Sequence, residues 1–492
     1  MPDDIFGSPL PDLARPSRKR QLADHHQRTV DQRVQDCLDY PLLYEMAELL
    51  PAPHMVGCPR EYPSIVYLLM AALTPVTKSK RSTAGLLTSA SQWRGLRAAV
   101  RRNMGRRAAA ALPLNAPTRG QYDYAVKTLL VPSIDGLEEG FRRYAAHQAL
   151  EQGLFPSSAP KTWSRPERRQ LLVGDATVPK APSKARKHET VDPVTGELRN
   201  HRVDPAARDY YENGEKAKRP VRGTKWFFGS GRGDGYWTRV ILTFAHVAGG
   251  EYEDEAAVAV RQFSQLKTAL PDCMGVIYDG ALRGVHRDAL ARRGLLVINK
   301  QHGSVSPVFY ERIKPCRSGH DLWCDQGRIA ESIRIDDGTR VLQPVPITRL
   351  EPRIGVTKSR WYHVLRIPCR HGDHQYRVPV GITTTAEDRA LRDATTGRRI
   401  PSDQERGFHR AEYLQQIPQE TLSHQLVYPY RSDSESVHSQ FDLSLWNRRM
   451  IAYGVERQKV FVLGFALSQN ATSRQVFLEG HANAVMGRQN SV

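Results

Sequence analysis

Three acidic residues stand where they could act together. Asp175 ends the run Arg169–Val178 (RQLLVGDATV), and Asp279 follows Met274–Tyr278 (MGVIY). Both runs are short and apolar, as buried strands are. Glu435 opens a helical stretch in the segment Ser432-Asp433-Ser434-Glu435. Carboxylates gathered at one sheet edge suit divalent cations, because magnesium takes oxygen ligands and only one or two carboxylates per ion. A pair of such ions can activate an attacking oxygen, stabilise a charged phosphoryl transition state and assist the leaving oxygen of a phosphodiester. Each acid also has a local role open to it. An Asp after a strand forms turns and caps helices, and Ser432 with Glu435 fits a capping box. The local sequence leaves both readings standing, and Asp433 is a second candidate for the third position.

A different chemistry is spelled by Cys316-x3-His320-x3-Cys324 and Cys369-x-His371-x2-His374. Thiolate and imidazole suit a tetrahedral structural zinc ion. These spacings match no standard zinc finger, so buried cysteines and surface histidines are the favoured reading and zinc the less favoured one. Trp226, Trp237 and Trp361 read as packing residues.

The elements that must position these groups follow from periodicity. The formal charge of +19 and pI near 9.8 point to a polyanionic partner, most simply nucleic acid. The longest apolar run, Ser64 to Leu73, is half of what a membrane-spanning helix needs, and the N-terminus lacks the layout of a secretion signal. Six scattered cysteines argue for a reducing compartment, so a cytoplasmic, nucleoid-associated protein without membrane contact is expected. Helical spacing covers Asp36–Leu50, Tyr62–Leu73 and Asp135–Gly153. Between them, Lys78–Arg107 sets apolar residues against many cations. Arg101, Arg102, Arg106 and Arg107 among these suit DNA phosphates, or else form a solvated face. Residues 179–222 read as a long basic loop in which Lys184, Arg186 and Lys187 could follow a phosphate backbone. Then come two strands joined by a glycine-rich turn, a helix over Tyr252–Leu270 opening on acids that suit a helix N-terminus, a helix over Gly284–Arg293 and a strand over Leu295–Asn299. Short alternating strands with Asp-Gly and Pro punctuation fill much of 301–384, a polar helical region is expected near Glu387–Gln416, and an apolar helix over Glu456–Asn470. The sequence shows no evident internal repeat.

Tyr428, Arg431 and Glu435 stand at intervals of three and four residues, followed by Asp442. That spacing resembles the Y-R-E-K signature of bacterial insertion-sequence DDE transposases, with an acid where the signature ends in Lys. The resemblance implies a ribonuclease-H-like α/β core, a mixed sheet flanked by helices and interrupted by a β-rich insertion, preceded by a helical N-terminal domain. It implies a polar arm over 1–35, a helical DNA-binding domain over 36–165, a core first part over 166–300, the insertion over 301–400 and a core second part over 401–492. Asp175, Asp279 and Glu435 become the catalytic, metal-binding triad for two Mg²⁺ or Mn²⁺ ions. Tyr428 and Arg431 become DNA-contacting residues. The activity implied is metal-dependent endonucleolytic cleavage and strand transfer in DNA transposition and recombination. Its substrates would be double-stranded DNA, the terminal repeats of the mobile element and target DNA, handled by a homodimer. Asp442 cannot make the phosphate contact of a Lys, so that contact is either absent or supplied elsewhere, with Arg448 and Arg449 as candidates. The departure also keeps open a transposase-derived DNA-binding protein without catalysis, or a nuclease of the same fold.

Overall fold

The computed structural model describes residues 4–9, 28–52, 60–211, 220–233, 235, 238–250, 253–301, 305–313, 316, 318–355, 358–381 and 410–489. The fold is mixed α/β. In chain order, helices α1 (Val30–Leu38), α2 (Pro41–Ala47), α3 (Ser64–Thr77), α4 (Lys80–Thr88), α5 (Ala90–Ala110), α6 (Arg119–Ala125) and α7 (Ile134–Glu151) come first. The helix expected over Asp36–Leu50 is thus two. Pro41 has no amide hydrogen to donate, so the chain restarts there with proline in the first turn. Lys78–Arg107 is broken likewise at Ser89, whose extended backbone closes α4 and opens α5. Within α5, Gly105 has φ 88°, which separates Arg106 and Arg107 from the straight run carrying Arg101 and Arg102.

Strand β1 (Leu171–Thr177) follows, and the expected structureless loop is instead partly ordered. Here β2 (Glu189–Val191) pairs antiparallel with β3 (Leu198–Asn200), and β4 (Arg208–Tyr210) with β5 (Val221–Gly223). The turn between β2 and β3 is held by Asp192, whose Oδ1 accepts from the amides of Val194 (2.9 Å) and Thr195 (3.2 Å). Strands β6 (Lys225–Arg232) and β7 (Arg239–Val247) form the expected antiparallel hairpin. Helix α8 (Glu255–Ala269), strand β8 (Gly275–Ile277), helix α9 (Gly284–Arg292) and strand β9 (Leu296–Ile298) come next. The antiparallel region comprises β10 (Val308–Ile313), β11 (His320–Asp325), β12 (Arg328–Arg334), β13 (Arg340–Pro344), β14 (Ile347–Arg353), β15 (Arg360–Ile367) and β16 (His374–Pro379). The expected helical stretch near Glu387–Gln416 lies mostly outside the described residues, as does Trp237. Its described part includes α10 (Arg410–Tyr413), which precedes α11 (Leu422–Val427), a 3₁₀ turn at Tyr428–Arg431, α12 (Ser432–Ser444) and α13 (Val455–Gln489). Among the described residues no helix is long and apolar enough to cross a membrane.

The chain divides into two compact units. One comprises Met1–Ala23, Phe155–Asp175 and Asp254–Asp433; the other comprises Asp24–Leu154, Ala176–Glu253 and Ser434–Val492. In the first unit β1, β8 and β9 run parallel and adjacent, which requires the α9 crossover between β8 and β9. Two antiparallel sheets, ordered β10-β11-β12-β13 and β14-β15-β16, occupy the expected insertion. Leu171, Val173, Ile277, Leu296, Ile298, Leu322, Ile347, Trp361 and Leu365 belong to one continuous core.

In the second unit, α13 packs against α3 and β7. Gly464 lets α13 approach α3 closely: a Cβ there would lie 2.1 Å from the Ala71 carbonyl oxygen. The hairpin is held partly by a side chain acting as backbone. Asn470 Oδ1 accepts from the Ile241 amide and its Nδ2 donates to the Ile241 carbonyl, both at 2.8 Å. Gln148 donates to the Asn470 carbonyl (2.9 Å) and accepts from the Tyr40 hydroxyl (2.5 Å). Trp226 is fully buried.

Candidate metal centre

The register of the parallel strands brings the two aspartates together. Leu171, Leu172 and Val173 of β1 pair with Gly275, Val276 and Ile277 of β8. Asp175 and Asp279 each lie two residues beyond the last pair, Asp175 still within β1 and Asp279 just past the end of β8. β8 is buried throughout and β1 is buried as far as Asp175, the fifth of its seven residues, so this carboxylate needs polar or charged partners. The third acid gathered there is Glu255. Asp175, Glu255 and Asp279 each offer a carboxylate oxygen, all within 4.8 Å of one another, a group that could hold a metal ion. Glu255 lies in the first turn of α8, which Asp254 caps by accepting from the Ala257 amide at 2.7 Å. Tyr278, fully buried just before Asp279, donates its hydroxyl to Glu255 Oε1 at 2.8 Å and so orients it.

The electrostatics are those of crowded carboxylates. Burial, and then the charges of Glu255 and Asp175, push the Asp279 carboxyl above its ordinary value, against the Ala281 amide that donates to it at 2.9 Å and the charge of Arg431. The Tyr278 hydroxyl is driven well up by burial and by the same acids. A cation would relieve that repulsion. One is already present: Arg431 Nη2 lies 3.2 Å from Asp175 Oδ2, with side chains 27% and 11% exposed.

Arg431 reaches Asp175 because the turn that bears it is pinned. Tyr428 stacks on His424 with ring centres 5.0 Å apart and planes 13° apart, and Lys300 Nζ stands 5.7 Å from the centre of the Tyr428 ring. His424 Nε2 meets the Asn299 carbonyl at 3.2 Å, and Asn299 Nδ2 donates to the Leu282 carbonyl (2.8 Å), bracing the segment after Asp279. Asp433 is committed elsewhere. It is buried and accepts both Nε and Nη2 of Arg168, so its carboxylate anchors the start of α12. Glu435 is exposed, in the first turn of α12, and belongs to the second unit. Asp442 is half-buried, its carboxyl raised by burial against the charges of Arg448, His438 and Lys180, with Arg448 at 4.0 Å. Arg449 is taken up by the Ala181 carbonyl at 2.9 Å.

Arg101, Arg102, Arg106 and Arg107 are all exposed on α5, with Arg102 paired to Asp39. Lys184, Arg186 and Lys187 are exposed too, and Arg186 pairs with Asp209 at 2.6 Å. Sequence reasoning missed Glu255 as a site residue: at a helix N-terminus it served the helix dipole equally well. Lys300 and Tyr278 gave no signal beyond their place beside strand ends.

Of the six cysteine and histidine candidates, Cys316, His320, Cys369 and His374 converge, with one ligand atom of each within 4.8 Å of the others. Cys324 instead faces the apolar core, and His371 is exposed beside Arg370.

No protein-family model matches the chain, and no curated protein matches it.

Proposed function

We propose that this chain is a DNA transposase of the DDE type, cutting and joining DNA through divalent cations held by Asp175 and Asp279. The observation that carries the reading is the meeting of three features. Asp175 near the end of β1 and Asp279 just past the end of its parallel neighbour β8 come together, the Glu255 carboxylate lies within 4.8 Å of both, and Arg431 of the Tyr428–Glu435 signature touches Asp175. Oxygen-only donors at a water-accessible strand edge fit Mg²⁺ or Mn²⁺, and bound ions would supply Lewis-acid stabilisation of the transferring phosphoryl group. Asp175 and Asp279 act as ligands, and Glu255 is a third ligand or a base for the attacking oxygen's proton. Tyr278 fixes the Glu255 carboxylate. Arg431 moves from Asp175 to the scissile phosphate, where its planar fork can donate two hydrogen bonds. The exposed arginines of α5 and the net charge of +19 suit non-specific grip on duplex DNA.

The test uses the purified full chain, the DNA flanking its own gene, and Mg²⁺ or Mn²⁺. Cleaved and joined products are expected from the wild type and not from Asp279→Asn. Comparing Glu255→Gln with Glu435→Gln identifies the third acid, since only the variant of a ligand abolishes product. Metal-independent binding without cleavage in every protein would point to a DNA-binding derivative and defeat the proposal.

A further inference from the structure

We propose that Cys316, His320, Cys369 and His374 bind one structural zinc ion that ties together two hairpin ends of the antiparallel region. The four residues come from two connections far apart in sequence. Cys316 lies in the link between β10 and β11 and His320 opens β11, while Cys369 lies in the link between β15 and β16 and His374 opens β16. These strands belong to different sheets, so the cluster joins sheet β10-β11-β12-β13 to sheet β14-β15-β16.

The two connections share one design. Pro315-Cys316-Arg317-Ser318-Gly319-His320 and Pro368-Cys369-Arg370-His371-Gly372-Asp373-His374 both read Pro-Cys-Arg-x-Gly, then His, with one residue more in the second. This is a short internal repeat that periodicity did not expose. Each is built on the same backbone bond: Gly319 N donates to the Cys316 carbonyl and Gly372 N to the Cys369 carbonyl, both at 3.0 Å. Gly319 and Gly372 have φ of 62° and 105°, which a side chain would strain. A cysteine, a left-handed glycine and a histidine within six residues form a knuckle that turns both donors inward.

The geometry suits a tetrahedral ion. Zinc bonds of ~2.3 Å to sulfur and ~2.0 Å to nitrogen give donor separations of roughly 3.3–3.8 Å. The two sulfurs lie 3.4 Å apart, and all four donors within 4.8 Å. That sulfur separation far exceeds a disulfide bond of ~2.05 Å. The buried Nε2 atoms of His320 and His374 make no other hydrogen bond among the described residues, and both rings interact with the Cys316 and Cys369 sulfurs. Outside the donor set, His320 Nδ1 meets Glu331 Oε1 at 2.5 Å. That contact fixes the ring with Nε2 toward the ion, the carboxylate–histidine pairing typical of zinc ligands. Two thiolates and two imidazoles favour zinc over magnesium, so this centre is chemically separate from the carboxylate group.

The test is metal analysis of the full chain purified with reductant and without chelator, with cobalt substitution as a second measurement. About one zinc per chain is expected, and the cobalt form should show the intense visible band of a tetrahedral ion with thiolate charge transfer. Cys369→Ser with His374→Ala should lose the ion, whereas Cys324→Ser, His371→Ala and Asp175→Asn with Asp279→Asn should retain it. Wild-type protein without zinc and with a weak octahedral cobalt spectrum would overturn the proposal. So would a Cys316–Cys369 disulfide found by peptide mapping, or zinc that survives the double ligand variant. Each readout is independent of DNA cleavage.

Discussion

Replacing Arg431 by Gln should tighten divalent-cation binding at the Asp175–Glu255–Asp279 group while weakening any contact with DNA. Arg431 Nη2 lies 3.2 Å from the Asp175 oxygen that would ligate the ion. A divalent cation on that oxygen would stand roughly 5 Å from the guanidinium, a repulsion of about 1.7 kcal/mol at the dielectric of water and several-fold more in a drier site. The Arg431 side chain is 27% exposed and can swing outward, so the value near the water limit applies. About 1.4 kcal/mol corresponds to tenfold in affinity. Titration calorimetry with Mn²⁺ should therefore find R431Q binding roughly tenfold tighter than wild type, and Arg431→Lys close to wild type. Equal or weaker binding by R431Q would falsify the view that Arg431 competes with a metal ion for Asp175.

Three further outcomes are expected. The Asp279 carboxyl is raised in the folded protein, chiefly by burial, so the folded chain holds its proton to higher pH than the unfolded chain does. Its contribution to stability is present below the unfolded value and lost as pH rises through the folded one. Thermal melts of metal-free Asp279→Asn should lose this part of the pH dependence, and an unchanged profile would refute the assignment. Asn470→Ala leaves the buried Ile241 amide and carbonyl without their side-chain partner and should cost roughly 2–4 kcal/mol in urea unfolding; a loss under half a unit would show that water replaces it. Changing Arg101, Arg102, Arg106 and Arg107 together to Gln should weaken binding to any duplex alike and flatten the salt dependence by up to about 0.9 per lost phosphate contact. An unaltered slope in filter binding would place the DNA elsewhere.

How much of this could be read along the chain depends on the range of the interaction. The apolar runs around Asp175 and before Asp279, the pairing of β6 with β7 and the alternating strands of the insertion are local patterns, and the structure has strands there, though β1 continues past Asp175 to Thr177 and β8 ends at Ile277. Pro41 broke the helix expected over Asp36–Leu50 because a missing amide hydrogen outweighs apolar spacing. The ordered pairs within 179–222 escaped notice, since a three-residue strand has no period to detect.

The sites divide in the same way. Sequence alone named most of the candidate residues: carboxylates after apolar runs, a Tyr428–Arg431–Glu435 spacing, and cysteines and histidines in two clusters, though not Glu255. Tertiary structure decided which of them meet. Asp175 comes near Asp279 only because β1 and β8 are parallel neighbours, and Glu255 joins them only because the start of α8 lies beside them. Cys316 and Cys369, separated by 53 positions, come within 3.4 Å only when two sheets fold against a common core. A side chain's type is local information, whereas its neighbours are set by pairing and packing across the whole chain.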